Sequence, residues 1–254
     1  MSSTQVDSSS LKNSLSLSPS SLPRHIAFIM DGNGRWACRK GLERTQGHYE
    51  GLKATKEVIR TLAELSIPHV TLYTFSTENW HRPPAEIAFL FSLISEYLLK
   101  EMDFYKEYGI RVRYIGNIDS LPSETQNSIR TAAEKTSAHD NITVHLAVNY
   151  GGRDELVRAF RRFLAHHGSE NGDAAADVIT ADRIESCLDT AGIPDPDMII
   201  RSSGEKRLSN FLLWQSAYSE LFFTDELWPD FSKETVFSCI REYQSRKRKF
   251  GAVE

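Results

Sequence analysis

A chain of 254 residues, 40% hydrophobic and 25% charged, has the make-up of one sizeable globular domain able to bury its own core. Its net charge of −4 argues against a nucleic-acid partner, and no run approaches the roughly 18 apolar residues of a membrane-spanning helix. Three dispersed cysteines, Cys38, Cys187 and Cys239, read as free thiols in a reducing cytoplasm rather than a disulfide framework or zinc site.

Residues 1–22 are rich in serine, with Leu11, Leu15, Leu17 and Leu22 scattered among polar neighbours. They lack the continuous apolar core of a secretory signal, so a disordered tail is expected there and a single domain over 23–254. Strands are expected at 25–30 (HIAFIM), 69–76 (HVTLYTFS), 110–117 (IRVRYIGN), 142–149 (ITVHLAVN) and 198–202 (MIIRS), with a weaker sixth at 221–224. Most are nearly continuous apolar runs, as parallel strands covered on both faces require. Between the first two, Leu52, Thr55, Ile59, Leu62 and Leu65 recur at helical spacing. After Pro83-Pro84, Ile87, Phe91, Ile94, Leu98, Met102 and Tyr105 predict the longest amphipathic helix, over 87–105. Further helices are expected at 123–138, 153–166, 181–191 and 232–246, and a surface loop at 166–177 whose two histidines have no second ligand cluster. The order predicts an α/β fold: a central, mostly parallel sheet of about six strands flanked by helices.

The conspicuous polar residues follow the strands. Asp31 comes after the first, Ser76-Thr77-Glu78-Asn79-Trp80 after the second, Asn149-Tyr150-Gly151-Gly152-Arg153 after the fourth, and Arg201-Ser202-Ser203-Gly204 ends the fifth. In open parallel sheets ligands bind outside the carboxyl ends of the strands, so these segments should converge on one crevice. Gly32 and Gly34 around Asn33 let backbone N–H groups turn toward an anion, Asp31 suits a hard cation such as Mg²⁺, and Arg35 offers a fork of donors matched to phosphate. The competing account is a glycine-rich turn with Trp36 in the core. Gly32-x-Gly34-x-x-Ala37 also satisfies a dinucleotide-binding fingerprint, with Glu57 near the ribose-binding position, but Asp31 would repel a pyrophosphate there unless a metal intervened. Arg39, Arg44, His48, Arg82, Arg201 and Arg207 on a chain with no basic surplus suggest one or two bound diphosphates, although His48 alone reads equally as a core histidine. Glu220, entering an apolar strand, reads either as a structural acid or, with Asp31, as a second metal ligand.

The blocks HIAFIMDGNGRWA (25–37), TLYTFSTENWHRP (71–83), NYGGRDEL (149–156) and IIRSSGEKRLSNFLLWQSAYSELFF (199–223) resemble the signature segments of cis-prenyltransferases, bacterial undecaprenyl diphosphate synthases above all. The likeness spans nearly the whole folded chain. It implies a Mg²⁺-dependent enzyme that condenses isopentenyl diphosphate with an allylic diphosphate, such as farnesyl diphosphate, to a Z-polyprenyl diphosphate. It also implies roles: Asp31 and Glu220 on the metal; Gly32, Asn33, Gly34, Arg35, Arg44 and His48 on the allylic diphosphate, with Trp36 at its mouth. Ser76, Thr77, Glu78, Asn79, Trp80 and Arg82 would lie where the substrates meet, Asn79 as a catalytic group. Arg201, Arg207, Leu208 and Ser209 would bind isopentenyl diphosphate. The predicted helix at 87–105, through Phe89, Leu90, Leu93 and Leu98, would wall an apolar tunnel opposite Ile142, Val144 and Leu146.

A homodimer is implied as well, with apolar surface expected in 211–231. Two departures stand out: Ser202 and Lys206 replace commoner residues, and Lys249-Phe250-Gly251 stands where relatives carry Arg-Phe-Gly. The basic run 246–249 reads either as a peripheral membrane contact or as a solvated tail. A short-chain synthase, a non-catalytic accessory subunit and a dehydrogenase are the alternatives. No Asp-Asp pair, the mark of trans-prenyl synthases, occurs anywhere.

Overall fold

A computed structural model describes residues 18, 21–167 and 179–248. Most of the serine-rich tail, nearly all of the expected loop at 166–177 and the Lys249-Phe250-Gly251 end therefore lie outside the described residues. Six strands form one parallel sheet in the order β3 (Ile110–Ile115), β4 (Ile142–Tyr150), β2 (His69–Ser76), β1 (His25–Ile29), β5 (Met198–Arg201) and β6 (Glu220–Phe223). Apolar runs produced strands at every expected place, and only their ends moved. β3 stops at Ile115 because Gly116 takes φ 109°, with the chain so near Val148 that a Cβ there would lie 2.2 Å from its carbonyl oxygen.

Alternation divides each strand between two cores. Ile26, Phe28, Val70, Leu72, Ile142, Val144, Met198 and Ile200 face the larger one, closed by α2 (Arg44–Glu64), α3 (Pro84–Lys100), α5 (Ser123–Lys135) and α8 (Lys233–Ser245). Ala27, Ile29, Ile115, Ala147 and Ile199 face the smaller one, filled by Phe211 and Leu212. α6 (Gly152–His167) and α7 (Ala181–Glu185) meet in a third cluster around Ala159, Phe163 and Ile184. The longest helix is α2, with 21 residues, not the one after Pro84. Glu101 leaves helical geometry (φ −93°, ψ 17°) and divides the expected helix into α3 and the short α4 (Met102–Glu107).

The chain runs from β1 to β2 on one side, and β5 later joins β1 on the other. The strand order therefore reverses between β1 and β5, where a crevice opens at the carboxyl ends of an α/β sheet.

Candidate active site

Register puts Ile29 beside Arg201, so Asp31 emerges from β1 at the mouth of that crevice, facing the end of β5. Ser202 clamps its backbone: the Asp31 N–H donates to Ser202 Oγ at 2.9 Å, and the same hydroxyl donates to the Asp31 carbonyl at 2.7 Å. The Asp31 carboxylate accepts from Arg201 at 2.8 Å and from Arg35, on α1 (Asn33–Arg39), at 3.2 Å. Partial burial pushes this carboxyl up, but the two guanidiniums outweigh it and hold the group below the ordinary carboxylate range. Arg201, its side chain only 5% exposed, also donates to the Arg207 carbonyl at 2.6 Å and to Ser209 Oγ at 2.7 Å. Arg35 reaches Ser203 Oγ at 2.5 Å and Glu205 at 3.1 Å. Gly32, at φ 103°, takes a turn that other residues resist, and a Cβ there would strike Leu227 at 2.8 Å.

A second group of cations gathers on one carboxylate. Glu86, in the first turn of α3, accepts from Arg82 at 3.0 Å and lies 3.7 Å from Arg44. His48 Nε2 is 3.9 Å from Glu86, too far for a hydrogen bond, and is buried without a partner. Burial, with Arg82 beside it, lowers the His48 pKa to about 4, so the ring is neutral near pH 7 and this contact is no ion pair. Arg44 lies directly over Gly34, where a Cβ would come within 2.7 Å of its guanidinium carbon. Asn33 Oδ1 is likewise buried and unpartnered.

Beyond β2 the chain makes a 3-10 turn, Thr77–His81. Asn79 Oδ1 accepts from the Ser76 N–H at 3.1 Å, fixing the amide at the start of the turn. Trp80 donates to Asn149 Oδ1 at 2.7 Å, and Glu78 accepts from Asn210 at 2.8 Å. Burial raises the Glu78 pKa, but hydrogen bonds from Asn210, its own backbone, Ser76 and Thr77 together outweigh it and leave the group below its usual range. One cleft of about 320 Å³ joins these parts. Its lining includes Asp31, Gly32, Asn33, Gly34, Arg35, Arg44, His48, Ser76, Asn79, Arg82, Arg201 and Ser209, together with the apolar side chains of Met30, Leu52, Leu90, Leu93, Ile94 and Trp228.

Residues 29–251 match the family model described as putative undecaprenyl diphosphate synthase. The chain belongs to the undecaprenyl diphosphate synthase family of prenyltransferases. It is 49% identical to an isoprenyl transferase of Rhizobium meliloti (strain 1021), over 92% of this chain and 94% of that one. It is 43% identical to a ditrans,polycis-undecaprenyl-diphosphate synthase ((2E,6E)-farnesyl-diphosphate specific) of Micrococcus luteus, over 96% of each. Among solved structures it is similar to lavandulyl diphosphate synthase from Lavandula x intermedia in complex with dimethylallyl diphosphate, with TM-score 0.87, 33% identity, and 92% of this chain and 100% of that one covered. A probable undecaprenyl diphosphate synthase from Campylobacter jejuni matches with TM-score 0.75 and 32% identity, over 91% and 99% of the two chains.

In this family member several expected site residues stand outside the cleft lining. Thr77, Glu78 and Trp80 form the outer side of the turn. Trp36 is half-buried, its indole donating to Asp230 at 2.7 Å. The Arg207 side chain is exposed and pairs with Glu205, so its carbonyl rather than its guanidinium serves Arg201. Leu208 packs into the smaller core near Tyr73.

Glu220 is not brought to Asp31. It opens β6, as its entry into an apolar strand predicts, and pairs with Met198, which pairs with Ile26. That places it about five residues below Asp31 along the strands, or about 16 Å, so within one chain it does not complete the Asp31 site. Its carboxylate accepts from Arg246 at 2.7 Å instead. Arg246 also lies 4.1 Å from the Phe222 ring centre, and Arg248 pairs with Asp197 at 2.7 Å, so two cations of the basic run are engaged inside the chain.

Glu86 and Ser203 were not legible as site residues. The only available signal for Glu86 was its place in the first helical turn after Pro83-Pro84. Among the described residues no group of three or more His, Cys, Asp or Glu side chains forms a metal cage. The donor set still fits Mg²⁺, which commonly takes one or two carboxylates and completes its shell with water and substrate phosphate oxygens. Asp31, which Arg35 and Arg201 keep ionised, would be the carboxylate to hold it.

Proposed function

We propose that this protein condenses isopentenyl diphosphate with an allylic diphosphate, farnesyl diphosphate in the first round, to a Z-polyprenyl diphosphate of the undecaprenyl type. The carrying observation is the ionised Asp31 between Arg35 and Arg201 at the sheet's switch point, in a cleft that Leu90, Leu93 and Ile94 also line. The isoprenyl transferases similar to this chain support the same reading.

Breaking an allylic C–O bond builds charge on the departing diphosphate. Arg35, Arg44 and Arg82 converge where that charge can be neutralised, on Gly32 and Gly34, which let the backbone approach closely. Arg201 and Ser209 face the neighbouring space and hold the second diphosphate, so the homoallylic double bond meets the allylic carbon near Asn79. Asn79 is neutral and its oxygen already accepts from Ser76, which makes it an orienting group rather than a base. Asp31 would hold Mg²⁺, which would supply further charge neutralisation for the diphosphates. The enzyme works as a homodimer in the cytoplasm, a reading that the free thiols Cys38, Cys187 and Cys239 support.

Incubation with radiolabelled isopentenyl diphosphate, farnesyl diphosphate and Mg²⁺, followed by chromatographic sizing, tests this. Long polyprenyl products that vanish with a chelator are expected. A single condensation would make the protein a short-chain synthase, and no incorporation would leave the accessory-subunit reading.

A further inference from the structure

β2 ends at Ser76, and the turn Thr77–His81 that follows takes no place in the sheet. Its outer side is gripped by a segment outside the cleft lining. Asn149, near the end of β4, is 6% exposed and sits at φ 48°, the left-handed region that asparagine tolerates better than most residues. Its Oδ1 accepts from Trp80 Nε1 at 2.7 Å, while its amide donates to the Asn117 carbonyl at 2.7 Å and to Ser120 Oγ at 2.8 Å. The side chain is thereby anchored to the loop after β3 and presents one acceptor to the turn. Trp80 is 41% exposed and packs against Phe75 and Phe91 at centroid distances of 5.5 and 5.4 Å. Ring contacts of this kind permit more than one indole orientation, and the hydrogen bond selects one.

The opposite flank is closed in the same manner. Asn210, at φ 64°, donates to Glu78 and accepts from the Arg153 N–H at 3.0 Å. Gly151 leaves no room for a Cβ, which would meet Thr77 Oγ1 at 2.5 Å and Asn210 Nδ2 at 2.7 Å.

We propose that Asn149 is a positioning residue for the condensation: by fixing Trp80 it sets where the adjacent Asn79 stands between the two substrates. This rests on the reading given above, in which Asn79 lies at the substrate junction. Arg35, Arg44, Arg201 and Ser209 are on other elements, and Arg82, which caps the turn, is held from outside it by Glu86 at 3.0 Å, so a loosened turn should slow the chemical step while leaving diphosphate binding nearly intact.

The test is a double-mutant cycle of Asn149→Gly, which accepts the left-handed backbone without the side chain, and Trp80→Phe, which keeps a ring without the donor. Each is expected to lower kcat roughly 10- to 100-fold, the scale of a misplacement of about 1 Å, with KM for both diphosphates nearly unchanged. The double variant should be no slower than the slower single one. The Trp80 indole N–H resonance, assigned by its loss in Trp80→Phe, should shift in Asn149→Gly without substrate present. Multiplicative losses, wild-type kcat in either single variant, or a rise confined to KM would overturn the proposal. If Asn149→Gly fails to fold, Trp80→Phe alone decides, since it breaks the same bond and leaves Asn149 anchored. A wild-type enzyme without condensation activity would overturn the functional reading instead, and the indole shift would still report on the hydrogen bond.

Discussion

Asp31 bears a single charge between two guanidiniums, and its loss would be felt in two ways. The site would lose its carboxylate for a cation, and Arg201, almost fully buried, would lose its ionic partner. Arg201 would keep the Arg207 carbonyl and Ser209, so Asp31→Ala should fold with a modestly lower Tm. Turnover should fall at least ~10²- to 10³-fold, the scale of removing one preorganised charge-stabilising group. Steady-state assays at saturating Mg²⁺ check this, and near wild-type turnover would remove Asp31 from the metal site. Asp31, Gly32, Gly34, Arg35 and Arg201 could be read from the sequence because carboxylate, glycine and arginine directly after apolar strands have few structural uses. Glu220 misled because its place at the entry of a strand was legible but its distance from Asp31 across the sheet was not. Only the β1–β5–β6 register places it below the site.

α3 illustrates what an element adds to its residues. Its periodicity identified an apolar face, yet that face serves two tasks. Leu90, Leu93 and Ile94 line the cleft, whereas Leu98 is packed in the core and Phe89 meets Tyr49 edge-on at 5.5 Å. The division follows from where α3 crosses the sheet, which no spacing rule contains. Ile142, Val144 and Leu146, expected as tunnel wall, face the larger core and do not line the cleft. Leu90 of the cleft lining belongs to the same core cluster as Val144, so a product chain growing past it would press on this core side. Leu93→Phe is therefore expected to shorten the products, and Val144→Ala to lengthen them, with KM for isopentenyl diphosphate unchanged in both. Product sizing checks the pair, and identical distributions in both variants would place the growth path elsewhere.

At the scale of the molecule, near-continuous apolar runs made the parallel sheet legible, whereas its outer surface was not. Of the stretch 211–231, expected to offer apolar surface, Phe211, Phe222, Trp228 and Phe231 are buried within the chain, while Tyr218 and Leu221, near the edge strand β6, are exposed. A second set of exposed apolar side chains lies on α6 at Val157, Phe160 and Leu164, one helical stripe. A homodimer that covers α6 should weaken with Phe160→Glu, and sedimentation equilibrium would show it. An unchanged association constant would move the interface off this stripe.

Three histidines far apart in sequence, His25, His69 and His145, are brought together by the pairing of β1, β2 and β4, with ring centroids 5.5 to 5.9 Å apart. His25 is satisfied as a neutral ring, Nδ1 donating to the Pro194 carbonyl at 2.6 Å and Nε2 accepting from Thr71 at 2.7 Å. Burial lowers its pKa from 6.5 to about 4; neighbouring His69 acts in the same direction, while the Pro194 hydrogen bond and Asp197 oppose. Burial, with Arg24 and Arg113 beside it, depresses His69, and burial, with the other two histidines and Arg113, depresses His145. Because these groups bind protons more readily unfolded than folded, stability is intact above about pH 6.5 and falls as pH drops toward 4. His25 alone should account for about 2 kcal/mol of that loss by pH 5. Thermal unfolding between pH 7 and pH 4.5 should show Tm falling steadily in the wild type and less steeply in His25→Gln, which cannot titrate. Equal slopes in the two proteins would mean that other groups, His48 among them, carry the acid sensitivity.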